Sequence, residues 1–191
     1  MAADQPIDMA WLSRSIGNLV DERTIVVNEY DFDASQAAFT RPGSYFAASP
    51  AGGLGWGLGA ALGAKLAAPD KTVICCVGDG AYIFGSPTAA HFVSRAYGVP
   101  VLFVVFNNRM WNAVKKAVQT HASDGWAVKT GIMPLTELDP APDYELVCRA
   151  SGGHAERVED PAQLPAALER ALRVVREEKR QALLNVICKK P

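Results

Sequence analysis

No run in these 191 residues stays apolar for the roughly 18 positions that a helix needs to cross a bilayer. The N-terminus, Met1-Ala-Ala-Asp-Gln-Pro6, has neither the basic head nor the apolar core of a secretory leader, so the sequence predicts a cytoplasmic protein with no membrane partner. An excess of one charge is also missing. With 19 Lys and Arg against 20 Asp and Glu the net charge is −1, which gives no basic footprint for nucleic acid. The one cation-rich stretch, Arg170 to Arg180, is interleaved with Glu177 and Glu178 and reads as a solvated helix face. Cysteine is scarce and carries no Cys-x-x-Cys spacing. Cys75 and Cys76 fall in an apolar strand, Cys148 in a helix and Cys188 at a late strand end, which reads as four reduced thiols and not as a metal or redox centre. Internal repeats, low-complexity tracts and interdomain linkers are absent too.

What is present is enough chain for one sizeable core, with 49% hydrophobic residues. Two runs, Thr72 to Val77 and Val101 to Phe106, are continuously apolar and rich in β-branched or aromatic residues, the pattern of parallel strands covered on both faces. Ser86 to Tyr97 has the length of one crossover helix between them. Helices are predicted at Met9 to Val20, through the glycines to Ala67, from Trp111 to about Gln119, and at Asp143 to Ala150. A further helix, Ala162 to Glu178, puts Leu164, Leu168, Leu172 and Val175 on one face. Strands are predicted at Thr24 to Asn28, His154 to Val158 and Ala182 to Ile187, with a long loop from Asn28 to Pro50. The alternation gives an α/β fold, a doubly wound and mainly parallel sheet of about six strands with helices on both faces.

Each of the two apolar runs ends in polar residues. Gly78-Asp79-Gly80 follows the first, and Asn107-Asn108 follows the second after 26 intervening residues. Parallel strands would deliver Asp79 and the asparagines to one end of the sheet, where open α/β folds bind ligands. A carboxylate, an amide oxygen and a backbone carbonyl suit Mg²⁺, which takes hard oxygen ligands and completes its shell with phosphate and water. Glycines beside Asp79 let backbone N–H groups approach phosphate oxygens. Either half alone is more often a turn or a helix cap. Together, at this spacing, they favour a metal-diphosphate site.

Gly-Asp-Gly, a spacer of this length and Asn-Asn resemble the thiamine diphosphate motif. Val27-Asn28-Glu29, Pro42-Gly-Ser-Tyr-Phe46 and the glycine-rich run Ala51 to Gly63 are similar to the C-terminal thiamine diphosphate (TPP)-binding domain of acetolactate synthases and benzoylformate decarboxylases. The resemblance covers Pro6 to Val186 and treats residues 1–191 as that one domain, without the family's pyrimidine-binding and middle domains. It implies Asp79, Asn108 and the Met110 carbonyl as Mg²⁺ ligands. Gly52, Leu54, Gly78, Gly80, Ala81, Trp111 and Asn112 join them around the cofactor, with Leu54 as the apolar wedge that bends it and Gly80 and Ala81 offering N–H groups to the diphosphate. The stretch around Asp31 and Phe32 lies where relatives hold the diphosphate or line the site. Ala81 and Met110 depart from residues common in relatives, serine at the first and glycine or threonine at the second.

The implied activity is TPP-dependent decarboxylation or carboligation of 2-keto acids, transferase or lyase chemistry. In this family a glutamate of a separate pyrimidine-binding domain activates the cofactor, usually across a dimer. The expected partners are therefore such a domain or subunit, a further copy of the chain and a 2-keto acid, and residues 1–191 alone are expected to turn over little. A fragment of a three-domain enzyme, a small subunit of a two-chain sulfopyruvate- or phosphonopyruvate-type decarboxylase, and a non-catalytic diphosphate-binding module all remain open. A nicotinamide site is disfavoured: Gly55-Trp-Gly-Leu-Gly-Ala60 fits the fingerprint formally, but Ser44 to Ala51 does not read as the strand that should precede it. Gly59 and Gly63 are read as permitting close packing against the sheet or a partner chain. Of three histidines, His91 reads as packed or exposed, His154 has no evident partner, and His121 is the candidate nearest the site.

Overall fold

A computed structural model describes residues 5–47 and 53–190. Six strands form one parallel sheet in the order β2-β1-β3-β4-β6-β5: β1 Thr24–Glu29, β2 Tyr45–Ala47, β3 Thr72–Gly78, β4 Leu102–Asn107, β5 His154–Val158 and β6 Ala182–Ile187. This is the doubly wound α/β architecture expected from the alternation of elements. Strands β3, β4 and β6 are buried along their whole length, which is why they lack a polar face.

Helices α1 (Met9–Gly17) and α8 (Leu164–Arg176) cover one face of the sheet, where Ile16, Leu168 and Val175 pack on Val26, Ile74, Val104 and Leu184. Helices α2 (Trp56–Ala67), α4 (Pro87–Ala96) and α7 (Tyr144–Ala150) cover the other, against Val27, Cys75, Phe103 and Leu183. The two faces draw on alternate residues of each strand, as a pleated sheet requires. All four cysteines are buried free thiols. Arg170 pairs with Glu156 at 2.6 Å and Arg176 with Asp21 at 3.3 Å on the solvated surface. Among the described residues no helix is long and apolar enough to cross a membrane.

Three stretches depart from the sequence reading. The stretch taken as a loop from Asn28 to Pro50 holds a 3₁₀ turn at Ala34–Gln36 and the edge strand β2. Strand β2 is too short to show a period, and its order comes from pairing with β1, Val26 opposite Tyr45. The segment after β3 is a separate short helix, α3 (Asp79–Phe84), so the crossover to β4 uses two helices. The segment after α5 (Asn112–His121) contains a five-residue helix, α6 (Trp126–Thr130).

The glycines of α2 divide unexpectedly. Gly57 is the one pressed against the sheet: a Cβ there would lie 2.8 Å from Glu29 Oε2 and 3.1 Å from Val77 Cγ1. Gly59 and Gly63 are exposed, and a Cβ on either would meet nothing within 4 Å, so the expected close packing on the sheet is not theirs. Gly57→Ala should therefore destabilise the chain by about 1–3 kcal/mol in urea unfolding. Gly59→Ala should be neutral or stabilising by up to ~1 kcal/mol, since alanine is the better helix former.

Candidate active site

The polar ends of β1, β3 and β4 open onto one cavity of about 300 Å³. It lies where the chain switches direction across the sheet, between β1 and β3, the position at which doubly wound sheets bind ligands. Glu29, Tyr30 and Asp31 line it from the end of β1, Gly78 to Ala81 from β3 and α3, Asn108 and Met110 from beyond β4, and Trp111, Asn112 and Lys116 from the start of α5. Leu54 closes it from the turn before α2. Leu54, Gly78, Asp79, Gly80, Ala81, Asn108, Met110, Trp111 and Asn112, all expected around the cofactor, line this cavity, whereas Gly52 lies outside the described residues and Phe32 is packed in the core instead.

Asp79 is the first residue of α3 and only 1% exposed. Its Oδ1 accepts the Gly80 N–H at 2.9 Å, whereas Oδ2 is buried with no hydrogen-bond partner. Burial pushes this carboxyl up to about 6, against the backbone N–H of Gly80 that holds it down. An ionised oxygen left bare in the interior is costly unless a cation covers it.

The two asparagines separate into different tasks. Asn108 lines the cavity, and its Oδ1 accepts the Met110 N–H at 3.0 Å. Asn107 faces away, its Nδ2 donating to Asn185 Oδ1 at 2.9 Å. The turn is clamped from outside by residues 136–138: Trp111 N–H donates to the Thr136 carbonyl at 2.8 Å and Leu138 N–H to the Arg109 carbonyl at 2.8 Å. Glycine is required at 80, where a Cβ would lie 2.6 Å from the Trp111 ring.

Glu29 lines the cavity but is committed to the backbone. Its oxygens accept the N–H groups of Gly55 at 2.5 Å and Gly57 at 2.7 Å, which fixes the turn carrying Leu54 and the start of α2. Asp31 is half-buried against Gly78. Burial and then the charges of Asp79 and Glu29 push its carboxyl up to about 7, with Lys116 pulling in the opposite direction. Among the described residues no three His, Cys, Asp or Glu side chains gather as a metal cage, so any cation held here would have to take its remaining oxygens from amides, carbonyls, ligand or water.

His121 ends α5 on the exposed surface and does not line the cavity. His91 is buried, with Nε2 2.7 Å from the Tyr82 hydroxyl and Nδ1 2.7 Å from Gln181 Oε1. His154 does have a partner, Glu156 Oε1 at 2.8 Å. The sequence reading missed Lys116, although it lies one turn beyond Asn112 at the spacing that shares a helix face.

Residues 29–186 match the family described as thiamine pyrophosphate enzyme, C-terminal TPP binding domain. The chain belongs to that family. It is 40% identical over 130 residues to an acetolactate synthase large subunit of Mycobacterium tuberculosis, covering 68% of this chain and 22% of that one. It is 34% identical over 135 residues to benzoylformate decarboxylase of Pseudomonas aeruginosa, covering 69% and 23%. Among solved structures, the thiamine diphosphate-dependent 4-hydroxybenzoylformate decarboxylase of Rhodococcus jostii RHA1 superposes with a TM-score of 0.83 at 26% identity, over 100% of this chain and 34% of that one. The chain thus spans about a fifth of the length of these curated relatives.

In this TPP-binding domain the unpaired carboxylates make ligand-free stability depend on pH. Asp31 titrates higher folded than unfolded, so its contribution is fully present below about pH 4 and is lost as pH rises through about 7. Asp31→Asn should raise ligand-free stability at about pH 8 by ~1–2 kcal/mol, the figure being reduced for partial solvent exposure. Urea titrations across that pH range check this: the variant's curve should be the flatter, and parallel curves would contradict it.

Proposed function

We propose that this chain anchors thiamine diphosphate through Mg²⁺ as the cofactor domain of an acetolactate synthase-like enzyme that decarboxylates or carboligates 2-keto acids. The observation that carries the reading is Asp79 Oδ2, buried and unpartnered at the cavity wall. The donor set fits the ion: a carboxylate from Asp79, the amide oxygen of Asn108 and the carbonyl of Met110 are all hard ligands. Gly78 and Gly80 keep side chains out of the space beside them. Gly80 and Ala81, in the first turn of α3, would offer N–H groups to a diphosphate, Leu54 would supply the apolar wedge that bends the cofactor, and Trp111 and Asn112 would close the wall.

Thiamine diphosphate, when bound, supplies a thiazolium ring that takes up the electron pair left as a 2-keto acid loses carbon dioxide. The residues lining this cavity bind and orient. Of its three acids, Asp79 is assigned to metal, Asp31 faces Lys116, and Glu29 has its oxygens occupied by Gly55 and Gly57. Activation of the cofactor is therefore assigned to a pyrimidine-binding domain, supplied elsewhere in a longer protein or by a partner chain, in a homo-oligomer of at least two copies. Apolar side chains on the segment after the cavity wall, Trp126 at 82% and Leu135 at 92% exposure, support a partner on that side.

Calorimetry on the 191-residue chain tests the reading. Thiamine diphosphate should bind only with Mg²⁺, and Asp79→Ala should weaken it at least ~100-fold, beyond what an outer-shell contact contributes. Turnover of a 2-keto acid should be negligible until a pyrimidine-binding partner is added. Metal-independent, tight binding of an adenine dinucleotide would refute the assignment.

A further inference from the structure

Behind the loop that carries Asn108 runs a chain of buried polar side chains that does not touch the cavity. It begins at Glu145 on α7, 6% exposed, whose Oε1 accepts from Asn185 Nδ2 at 3.0 Å. Asn185, fully buried in β6, accepts through Oδ1 from Asn107 Nδ2 at 2.9 Å. Asn107, also fully buried, accepts through its Oδ1 the backbone N–H of Arg109 at 3.1 Å.

This chain has a direction. A carboxylate accepts and cannot donate, so Glu145 requires Asn185 to turn its NH₂ group toward α7 and its oxygen toward β4. That oxygen requires the NH₂ group of Asn107, which leaves the Asn107 oxygen facing forward to Arg109. Arg109 is the residue that most needs holding. Its φ of +58° lies in the left-handed region that residues with a Cβ avoid. Its neighbours on either side, Asn108 and Met110, both line the cavity.

We propose that Glu145, Asn185 and Asn107 are a positioning relay that fixes the backbone at Arg109 and thereby aims the Asn108 side chain and the Met110 carbonyl at a divalent cation. The proposal rests on the reading of Asp79, Asn108 and Met110 as the metal site. None of the three relay residues touches cation or cofactor. They act through the conformation of one peptide, and their loss should be felt at the metal even where the fold survives. A purely structural role, joining α7 and β6 to β4, would instead lower stability and leave the metal alone.

The test is a calorimetric titration of Mg²⁺ into the full chain at saturating thiamine diphosphate, paired with urea unfolding of each variant without metal. Asn185→Leu and Glu145→Leu should weaken Mg²⁺ by about 10- to 100-fold, the range for partners that orient a ligand from outside. Glu145→Gln, whose Oε1 can still accept from Asn185, should keep near wild-type affinity. Leu168→Ala, which empties space on the opposite face of the sheet, should lower the unfolding midpoint without changing Mg²⁺ affinity. If Asn185→Leu and Glu145→Leu lose stability yet bind Mg²⁺ as wild type does, the relay is overturned. Should Asn185→Leu fail to fold, the pair Glu145→Leu and Glu145→Gln decides by the same criterion. A wild-type chain that takes up no Mg²⁺ with thiamine diphosphate would instead bring down the metal site itself, and the relay with it.

Discussion

Across the parallel ladders Val77 stands opposite Glu29 and Gly78 opposite Phe106, so β1, β3 and β4 end nearly level on the same side of the sheet. Every feature of the site depends on that register. The residue following each strand end is polar, and the level ends make those residues the floor of one cavity instead of three separate turns. A slip of one residue between β3 and β4 would exchange the side chains that fill the two buried layers and move Asp79 out of level with Asn108. The hydrophobic burial that holds the sheet is therefore also what fixes the spacing of Asp79 and Asn108. Burial on the scale of Val104, Val105 and Phe106, fully enclosed between helices on both sides, leaves little freedom at the strand end.

Placing acids at such a floor has an electrostatic cost. Glu29, Asp31 and Asp79 share one cavity with Lys116, the single lining cation among the described residues. Two of the three carboxyls are pushed well above the usual aspartate range, both because water is excluded and Asp31 also because Asp79 and Glu29 lie near. A fold optimised for stability alone would not keep them. Strongly perturbed acids gathered in a cavity mark a candidate site for an added positive charge. The sheet supplies the rigidity that tolerates this arrangement, since the acids project from strand ends embedded in both cores.

The parts of this arrangement that were legible in the sequence are those whose signal is local. Thr72 to Val77 and Val101 to Phe106 announce buried strands by composition alone, and the polar residues after each mark the site. Strand β2 was not legible because three residues, Tyr45 to Ala47, cannot display a period. Helix α3 was hidden by Gly80 and Gly85, which depress helix propensity on either side of Ala81 to Phe84. Lys116 could have been found from its spacing to Asn112. The link from Glu145 through Asn185 to Asn107 could not, because its members are separated by 40 and 78 positions in the chain and only the fold brings them together.

Similar acids at one cavity are thus set to different tasks by the number of donors each receives. Glu29 takes two backbone N–H groups, each a charge-assisted bond of roughly 1.5–3 kcal/mol, and so acts as a structural clasp on the Leu54 turn. Asp79 has one oxygen engaged by Gly80 and one bare, which leaves it able to hold a cation without moving. Donor number, not residue type, separates the clasped Glu29 from the open Asp79 here. It follows that the cavity is built to hold something still. Proton transfer asks the opposite of an acid, an oxygen free to gain and lose a proton in contact with the reacting group, and a clasped Glu29 cannot provide that without releasing the turn that shapes the site.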